Sequence, residues 1–132
     1  MVPPPVALGL TLCDYIIVEE GTAKISLIGT FTQLGVDSFP SEPKRFFAFV
    51  ALAGSQGDAT IDLVLTQLDS DADLHSEQIQ VHFPDKLTEV QIVFEINEWS
   101  FPAPGWYQLV LLVDGEWVAQ RRLEVYLNEE QT

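Results

Sequence analysis

Two apolar runs in the last third of the sequence, Leu109–Val113 and Trp117–Leu127, are separated by Asp114-Gly115. An Asp-Gly pair between apolar runs is among the strongest short-range signals of a β-hairpin. The reason is that a type I′ turn needs a positive φ angle at both central residues, which aspartate and glycine tolerate. This stretch therefore predicts two antiparallel strands joined by a tight turn.

Apolar runs recur along the rest of the chain, and each one ends at residues that favour turns. Alternation of apolar and polar residues with a period of two predicts strands that bury one face. The predicted strands before the hairpin cover residues 7–18, 24–34, 45–53, 60–68, 77–83 and 89–97. We therefore predict an all-β fold, a single antiparallel β-sandwich of about eight strands, immunoglobulin-like or related. A closed barrel is the alternative.

The predicted strand at residues 45–53 differs from the others because it is apolar on both faces. Phe47 and Phe49 alternate with Phe46, Ala48 and Val50. A strand of this kind is expected to be covered on both sides. One sheet is therefore expected to be covered by a protein partner or by a second copy, and open sheets also leave edges that another chain can pair.

The length and charge of the chain limit its organisation and its partners. A length of 132 residues predicts one domain, residues 1–132, with flexible ends at 1–5 and 128–132. Twenty acidic residues against six basic ones give a formal net charge of −14. Such a surface repels phosphate groups, so we expect neither a nucleic-acid partner nor a membrane partner.

Cys13 is the only cysteine, so the chain has no internal disulfide, and a lone strand cysteine is usually a small buried residue. The first residues carry no cationic segment of the kind that opens a signal peptide. The sequence also lacks the uninterrupted apolar run that a membrane-spanning helix requires. These observations predict a cytoplasmic protein.

Asp69, Asp71 and Asp73 alternate in an acidic turn and are a weak candidate for a calcium site. An EF-hand loop starting at Asp69 would need glycine and glutamate where Leu74 and Gln80 stand. We therefore expect an exposed acidic turn, no bound metal and no cofactor. A calcium site of another type is the alternative.

The sequence contains no recognisable catalytic pattern. The segment 54–57 has turn composition but lacks the spacing of a serine nucleophile elbow. His75 and His82 are seven residues apart, which places them on opposite faces of one extended strand. Glycine-rich phosphate loops are absent as well. We therefore expect that the protein is not an enzyme.

Five aromatic residues lie around the corner before the last hairpin, including every tryptophan of the chain: Trp99, Phe101, Trp106, Tyr107 and Trp117. Strand alternation predicts that Tyr107 is in the core, whereas Trp99 and Trp106 are expected at the surface. Most of the cluster is expected to close one end of the sandwich. The alternative is an exposed aromatic patch of Trp99, Phe101 and Trp106 that binds a partner or a sugar ring.

Arg121 is unusual because alternation predicts it on an otherwise apolar strand face, which it shares with Trp117, Leu123 and Val125. Its guanidinium is therefore expected to reach the rim of the core or to pair with a carboxylate.

Two segments resemble an uncharacterised family of short bacterial proteins of unknown function. The first runs from Leu12-Cys13-Asp14 through Gly21-Thr22 to Ser26–Phe31, and the second from Phe101-Pro102-x-Pro104-Gly105-x-Tyr107 to Asp114-Gly115. The resemblance implies a single immunoglobulin-like or related β-sandwich of bacterial origin. It implies no activity and supplies no functional residues.

The function that these observations predict is a non-catalytic protein-interaction or assembly module, which binds a protein partner or associates with itself. The alternative is a module that binds a small ligand or carbohydrate through Trp99, Phe101 and Trp106, with calcium in the acidic turn as an aid.

Overall fold

A computed structural model describes residues 3–129, which form nine β-strands and no helix. The strands are β1 (Val6–Val18), β2 (Ile25–Phe31), β3 (Gln33–Val36), β4 (Lys44–Ala53), β5 (Gly57–Gln67), β6 (Ala72–Phe83), β7 (Val90–Trp99), β8 (Gly105–Val113) and β9 (Glu116–Leu127). The expectation of an all-β fold is confirmed. Within the described range, no helix is long and apolar enough to cross a membrane.

The nine strands form two sheets. A four-stranded sheet has the order β2-β1-β4-β7, and a five-stranded sheet has the order β3-β9-β8-β5-β6. All pairs are antiparallel except β3–β9, which is parallel, so the expectation of purely antiparallel pairing is wrong for this pair. The predicted strand at 24–34 divides at Thr32 because the chain leaves the four-stranded sheet there and joins the five-stranded one.

The inward faces of both sheets contribute to one hydrophobic cluster. Side chains alternate between the two faces of each strand, so β4 buries Phe46, Ala48 and Val50 and turns the residues between them outward. The bulkiest fully buried side chains are Trp99, Tyr107, Phe46, Phe83 and Phe101.

The turn between β8 and β9 has the predicted geometry. Asp114 and Gly115 both have positive φ angles, of 49° and 84°. The Asp114 amide donates to the carbonyl of Thr60 at 2.9 Å, and the Asp114 carboxylate accepts from the amide of Thr60 at 2.9 Å. The hairpin is therefore tied to the start of β5 as well as being internally paired.

A β-bulge in this hairpin changes the outcome for Trp117. Leu111 lies opposite Ala119, whereas Leu112 lies opposite Trp117, so Val118 is an additional residue in β9. The additional residue reverses the alternation, and Trp117 is 59% exposed on the outer side of the sheet. The prediction that Trp117 shares an apolar face with Leu123 is therefore wrong.

The described parts of the two chain ends contact the sheets. The carbonyl of Pro3 accepts a hydrogen bond from the Ser55 hydroxyl at 3.2 Å, and the amide of Asn128 donates to Val36 at 2.8 Å. Residues 1–2 and 130–132 lie outside the described residues, so the expectation of flexible ends stays a prediction there.

Candidate functional site

The aromatic residues chosen from the sequence do not form one surface. Trp99 is 2% exposed and Phe101 is fully buried, whereas Trp106 is 47% exposed. The expectation of a surface position is therefore wrong for Trp99, and Phe101 does not reach the surface. Only Trp106 remains exposed as expected.

A register shift explains why Trp99 is buried. Ile96 lies opposite Phe46, whereas Trp99 lies opposite Lys44, so β7 has one residue more than β4 between these two pairs. The additional residue turns Trp99 inward, where its ring packs edge-on against Phe46 at 6.0 Å and stacks on His75 at 5.9 Å. The bulge was not recognisable in the sequence.

Tyr107 lies in the core, as predicted, and holds the corner before β8. Its hydroxyl donates to the carbonyl of Ala103 at 2.5 Å and accepts from the Ala103 amide at 3.3 Å. Its ring packs edge-on against Phe101 at 5.1 Å. Burial raises the pKa of the Tyr107 phenol, and the Asp69 carboxylate adds to this effect, while the bond to Ala103 opposes it. These contacts make the corner a structural element.

The exposed Trp117 lines a shallow groove of about 180 Å³ on the outer side of the five-stranded sheet, together with Val64, Thr66, Asp73, Val110 and Leu112. Strand alternation predicts Trp117 on the inner face of β9, because the β-bulge at Val118 is not recognisable in the sequence. The groove was therefore not predicted.

The three aspartates of the acidic turn do not form a metal site. Asp71 has a positive φ angle of 56°, and the Asp73 carboxylate accepts a hydrogen bond from the Thr66 hydroxyl at 2.9 Å. Among residues 3–129, no group of three or more His, Cys, Asp or Glu side chains is arranged to hold a metal ion.

The two histidines lie on opposite faces of β6, as predicted. His75 lies opposite the buried Leu65, and its Nε2 is 3.1 Å from the Ser100 carbonyl oxygen. His82 lies on the outer side, with its Nδ1 2.7 Å from the Asp58 carboxylate. The two side chains therefore cannot act at one site.

The outer side of the four-stranded sheet carries a continuous apolar surface. Cross-strand pairing places Cys13 beside Phe47, and Phe49 beside Val93. Tyr15 lies opposite Ile28 on the neighbouring strand pair. We call this surface the outer apolar face: Cys13, Tyr15, Ile17, Ile28, Phe47, Phe49, Ala51 and Val93.

Several side chains of the outer apolar face are strongly exposed. Tyr15 is 64% exposed, Ile17 51%, Ile28 44% and Val93 36%. Phe47 and Phe49 are half-buried by their neighbours. The expectation that β4 is apolar on both faces is therefore confirmed.

The outer apolar face is bordered by a single ion pair in the described strands. Arg45 and Glu95 lie 3.0 Å apart, and the Arg45 guanidinium is 5.9 Å from the centre of the Phe47 ring. Both partners are largely exposed, so the pair adds little stability, but the two charges offset each other.

Cys13 is fully buried within this face, beside Phe47 of β4 and Thr30 of β2. Burial raises the pKa of its thiol, and the carboxylate of Asp14 adds to the effect. The thiol is therefore protonated at neutral pH, as expected for a small apolar strand residue.

One end of the four-stranded sheet is a hairpin without further strand partners. β4 pairs with β1 no further than Cys13, so residues 14–18 pair only with β2. We call residues 14–18 and 25–29 the projecting hairpin. Both of its faces carry apolar residues, because Ile16 and Leu27 lie opposite each other on the side away from Tyr15, which they share with Asp14. An isolated two-stranded hairpin is only marginally stable in water, so an uncovered apolar hairpin is notable.

The sequence contains a signal for this hairpin that strand alternation hides. Residues 15–18 are four consecutive apolar residues. Alternation alone would place two of them on a buried face and two on a solvent-exposed face. Alternation therefore identifies β4 as apolar on both faces, whereas the two strands of this hairpin were predicted without that property.

The chain matches a family of unknown function (DUF6941) over residues 8–126. The resemblance to an uncharacterised family is therefore confirmed. No curated protein matches the chain.

Three solved structures are similar to the chain at low identity. A β-glucosidase from Listeria innocua in complex with glucose is 14% identical, with a TM-score of 0.47, and the match covers 74% of this chain and 15% of that chain. A Pseudomonas fluorescens alkylpurine DNA glycosylase bound to DNA containing an abasic site analog is 9% identical, with a TM-score of 0.46, covering 89% and 30%. An immunoglobulin-like protein from Pseudomonas aeruginosa is 13% identical, with a TM-score of 0.46, covering 93% and 97%. The chain thus spans less than a third of the glucosidase and of the glycosylase.

Proposed function

We propose that this chain, which belongs to the family of unknown function DUF6941, is a non-catalytic protein-interaction or assembly module. Its contact surface in this proposal is the outer apolar face together with the projecting hairpin. The observation that carries the proposal is the exposure of Tyr15, Ile17 and Ile28 side by side on the outer side of one hairpin.

Hydrophobicity and charge both support this assignment. Contiguous exposed apolar patches on soluble proteins commonly mark interaction sites, whereas single exposed apolar residues do not. The centres of protein interfaces are also depleted of charge. This chain has 20 acidic residues, yet Glu95 is the one acid whose register places it beside Phe47 on the outer apolar face. Asp14 is the one acid within the projecting hairpin, and the remaining acidic residues lie outside the contact surface, where they favour solubility.

The fold and location of the module belong to the same proposal. We propose one domain, a single immunoglobulin-like or related β-sandwich, acting in a bacterial cytoplasm. The shared core of the two sheets supports the sandwich. The bond from the Tyr107 hydroxyl back to Ala103 supports it too, because similar tyrosine corners occur in immunoglobulin-like domains. The buried, reduced Cys13 fits the cytoplasm.

Photo-crosslinking in the native cells tests the proposal. A photoreactive phenylalanine analogue replaces Tyr15 or Val93 on the outer apolar face, and in matched controls it replaces Gln80 or Gln120. The control positions are exposed on the five-stranded sheet. We expect protein adducts from Tyr15 and Val93 and few or none from the controls. Adducts from neither face, or equally from both, would contradict the proposal.

A second candidate function is the binding of a small ligand or carbohydrate, favoured by the groove beside Trp117. Its lining combines an exposed indole with polar groups of Thr66 and Asp73, which is the combination that sugar rings contact. Tryptophan fluorescence with a panel of glycans, with and without calcium, tests this candidate. A spectral shift that disappears in Trp117→Ala would support it, and an unchanged spectrum across the panel would contradict it.

A further inference from the structure

We propose that the chain associates with a second copy of itself through the free edge of β2. The two β2 strands pair antiparallel across a two-fold axis, so that two four-stranded sheets continue into one. This proposal rests on the proposed function and names the partner that pairs with the projecting hairpin.

β2 is an edge strand without the usual protection. It pairs with β1 on one side only, and its sequence from Ile25 to Phe31 contains neither a charged residue nor proline. Natural proteins normally protect such edges with charges, proline, bulges or short strands, because an unpaired edge is a template for another strand.

The other edge strands of the two sheets are protected. β7 carries Glu95 and Glu98, β6 carries Asp73 and Glu77, and β3 has only four residues. Among the edges in residues 3–129, β2 therefore stands out as the one available for pairing. Gly29, with a φ angle of 70°, lies near its end and leaves Ile25–Ile28 as the segment that pairs.

Symmetry makes this edge complementary to itself. A two-fold axis perpendicular to a sheet brings an edge strand beside its own copy in the antiparallel direction, so each copy contributes the same surface. The axis also keeps the outer apolar faces of both copies on one side. Ile28 of each copy then lies close to the axis, beside β2 of the other copy.

The distribution of charge selects a second copy over a cationic partner. A surface built for a basic protein would itself carry acidic residues, but Tyr15–Val18 and Ile25–Phe31 carry none, and the acids that flank these segments are Asp14, Glu19 and Glu20. Two copies with a net charge of −14 each repel one another least where the acids are absent. The uncharged edge is therefore the part of the molecule on which like copies can meet.

Sedimentation velocity tests the proposal on the full chain, over about 1–300 µM, a range in which weak dimers dissociate. We expect a concentration-dependent species with twice the chain mass of 14.7 kDa. The dimer should become more stable between about 0.15 M and 1 M salt, because salt screens the repulsion between the acidic copies. A monomer throughout this range, at both salt concentrations, would overturn the proposal.

Two variants locate the interface. Ile28→Lys puts a charge beside the axis in each copy and should weaken the dimer about tenfold or more, because like charges on neighbouring strands repel each other. Gln120→Lys puts the same charge at an exposed position of β9 in the five-stranded sheet and should leave the dimer unchanged. The reverse pattern would overturn the assignment to β2. Circular dichroism checks that both variants fold.

A disulfide cross-link between two copies gives a second measurement of the interface, which does not require a destabilising substitution. In a Cys13→Ala background, Ser26→Cys should form a covalent dimer under mild oxidation, whereas Gln91→Cys on β7 should not. Cross-linking from Gln91→Cys alone would contradict the pairing of β2. If the chain stays monomeric while the photo-crosslinker at Tyr15 captures other proteins, the second-copy proposal fails and the interaction module stands. If neither occurs, both fail.

Discussion

The hairpins β1–β2 and β8–β9 have similarly apolar sequences but opposite environments. In β8–β9, Tyr107, Leu109 and Leu111 are fully buried. In β1–β2, Tyr15 is 64% exposed and Ile28 is 44% exposed. The difference follows from the neighbours: β8 lies between β9 and β5, whereas residues 14–18 of β1 pair with β2 alone. Hydrophobicity therefore predicts that a strand forms, and its position in the sheet decides whether the strand is core or surface.

The two regions also differ in where their aromatic residues lie. Trp99 and Phe101 are conspicuous in the sequence, but the corner before β8 uses them as core. Tyr15 is less conspicuous and lies on the projecting hairpin. Four experiments on monomeric protein test how far the two hairpins differ.

The largest loss of stability is expected when a buried side chain of the β8–β9 hairpin is shortened. Leu109→Ala should lower the free energy of unfolding by about 2–5 kcal/mol, because it leaves a cavity in the core. Ile28→Ala should cost less than about 1 kcal/mol at protein concentrations that keep the chain monomeric, because the side chain already contacts water. Urea denaturation measures both values. Equal losses would contradict the contrast between the hairpins.

A smaller loss of stability is expected when alanine replaces either of two glycines with positive φ angles, one in each hairpin. Alanine at Gly29 or at Gly115 costs about 1–2 kcal/mol from backbone strain, since the φ angles are 70° and 84°. At Gly29 the new methyl would also contact the Asp14 carboxylate, whereas nothing lies within 4 Å of it at Gly115. Gly29→Ala should therefore lower the melting temperature more than Gly115→Ala. A larger decrease for Gly115→Ala would contradict the geometry of β2.

The corner before β8 can be tested by removing one hydroxyl. Tyr107→Phe should cost about 1 kcal/mol, because the carbonyl and amide of Ala103 lose a buried partner. Tyr15→Phe is the matched change on the projecting hairpin, and it should alter stability by less than about 0.5 kcal/mol in the monomer. Guanidinium denaturation compares them. A neutral Tyr107→Phe would show that the corner is held by ring packing alone.

The smallest loss of stability is expected at alkaline pH. Burial raises the pKa of Cys13 in the four-stranded sheet and of Tyr107 in the five-stranded one, so the native state holds these protons more tightly than the unfolded state. Their contribution to stability is complete below the unfolded pKa values, about 8.5 and 10, and is lost as the pH rises through the higher native values. Thermal unfolding between pH 7 and pH 11 measures this decrease. Cys13→Ala should reduce its first part, and an unchanged profile would contradict the burial of the thiol.

Local sequence patterns predicted most strands but not their ends or partners. The turn at Asp114-Gly115 is where the dipeptide placed it, because its backbone preference is local. The division of residues 24–34 at Thr32 was not predicted, because a change of sheet leaves the apolar pattern of the segment unbroken. The extended start of β6 at Ala72 was missed for a similar reason, since polar residues at an edge show no alternation.

The candidate site was predicted in part. The two apolar faces of β4 were recognisable because period-two alternation is broken by Phe47 and Phe49. The predicted exposure of Trp99 and the predicted inward position of Trp117 were wrong, because each residue lies next to a β-bulge of one additional residue. One residue is enough to exchange the two faces of a strand.

The amino-acid sequence by itself determined that the chain forms β-strands joined by turns, that its surface is strongly acidic and that one strand is apolar on both faces. These properties depend on neighbouring residues and on composition alone. The tertiary structure decided which apolar residues are core, because burial depends on strands that are distant in the sequence. It brought Tyr15, Ile28, Phe47 and Val93 from four strands onto one face and left β2 without a second neighbour. Register, bulges and strand order are long-range properties, and the candidate surface depends on all three.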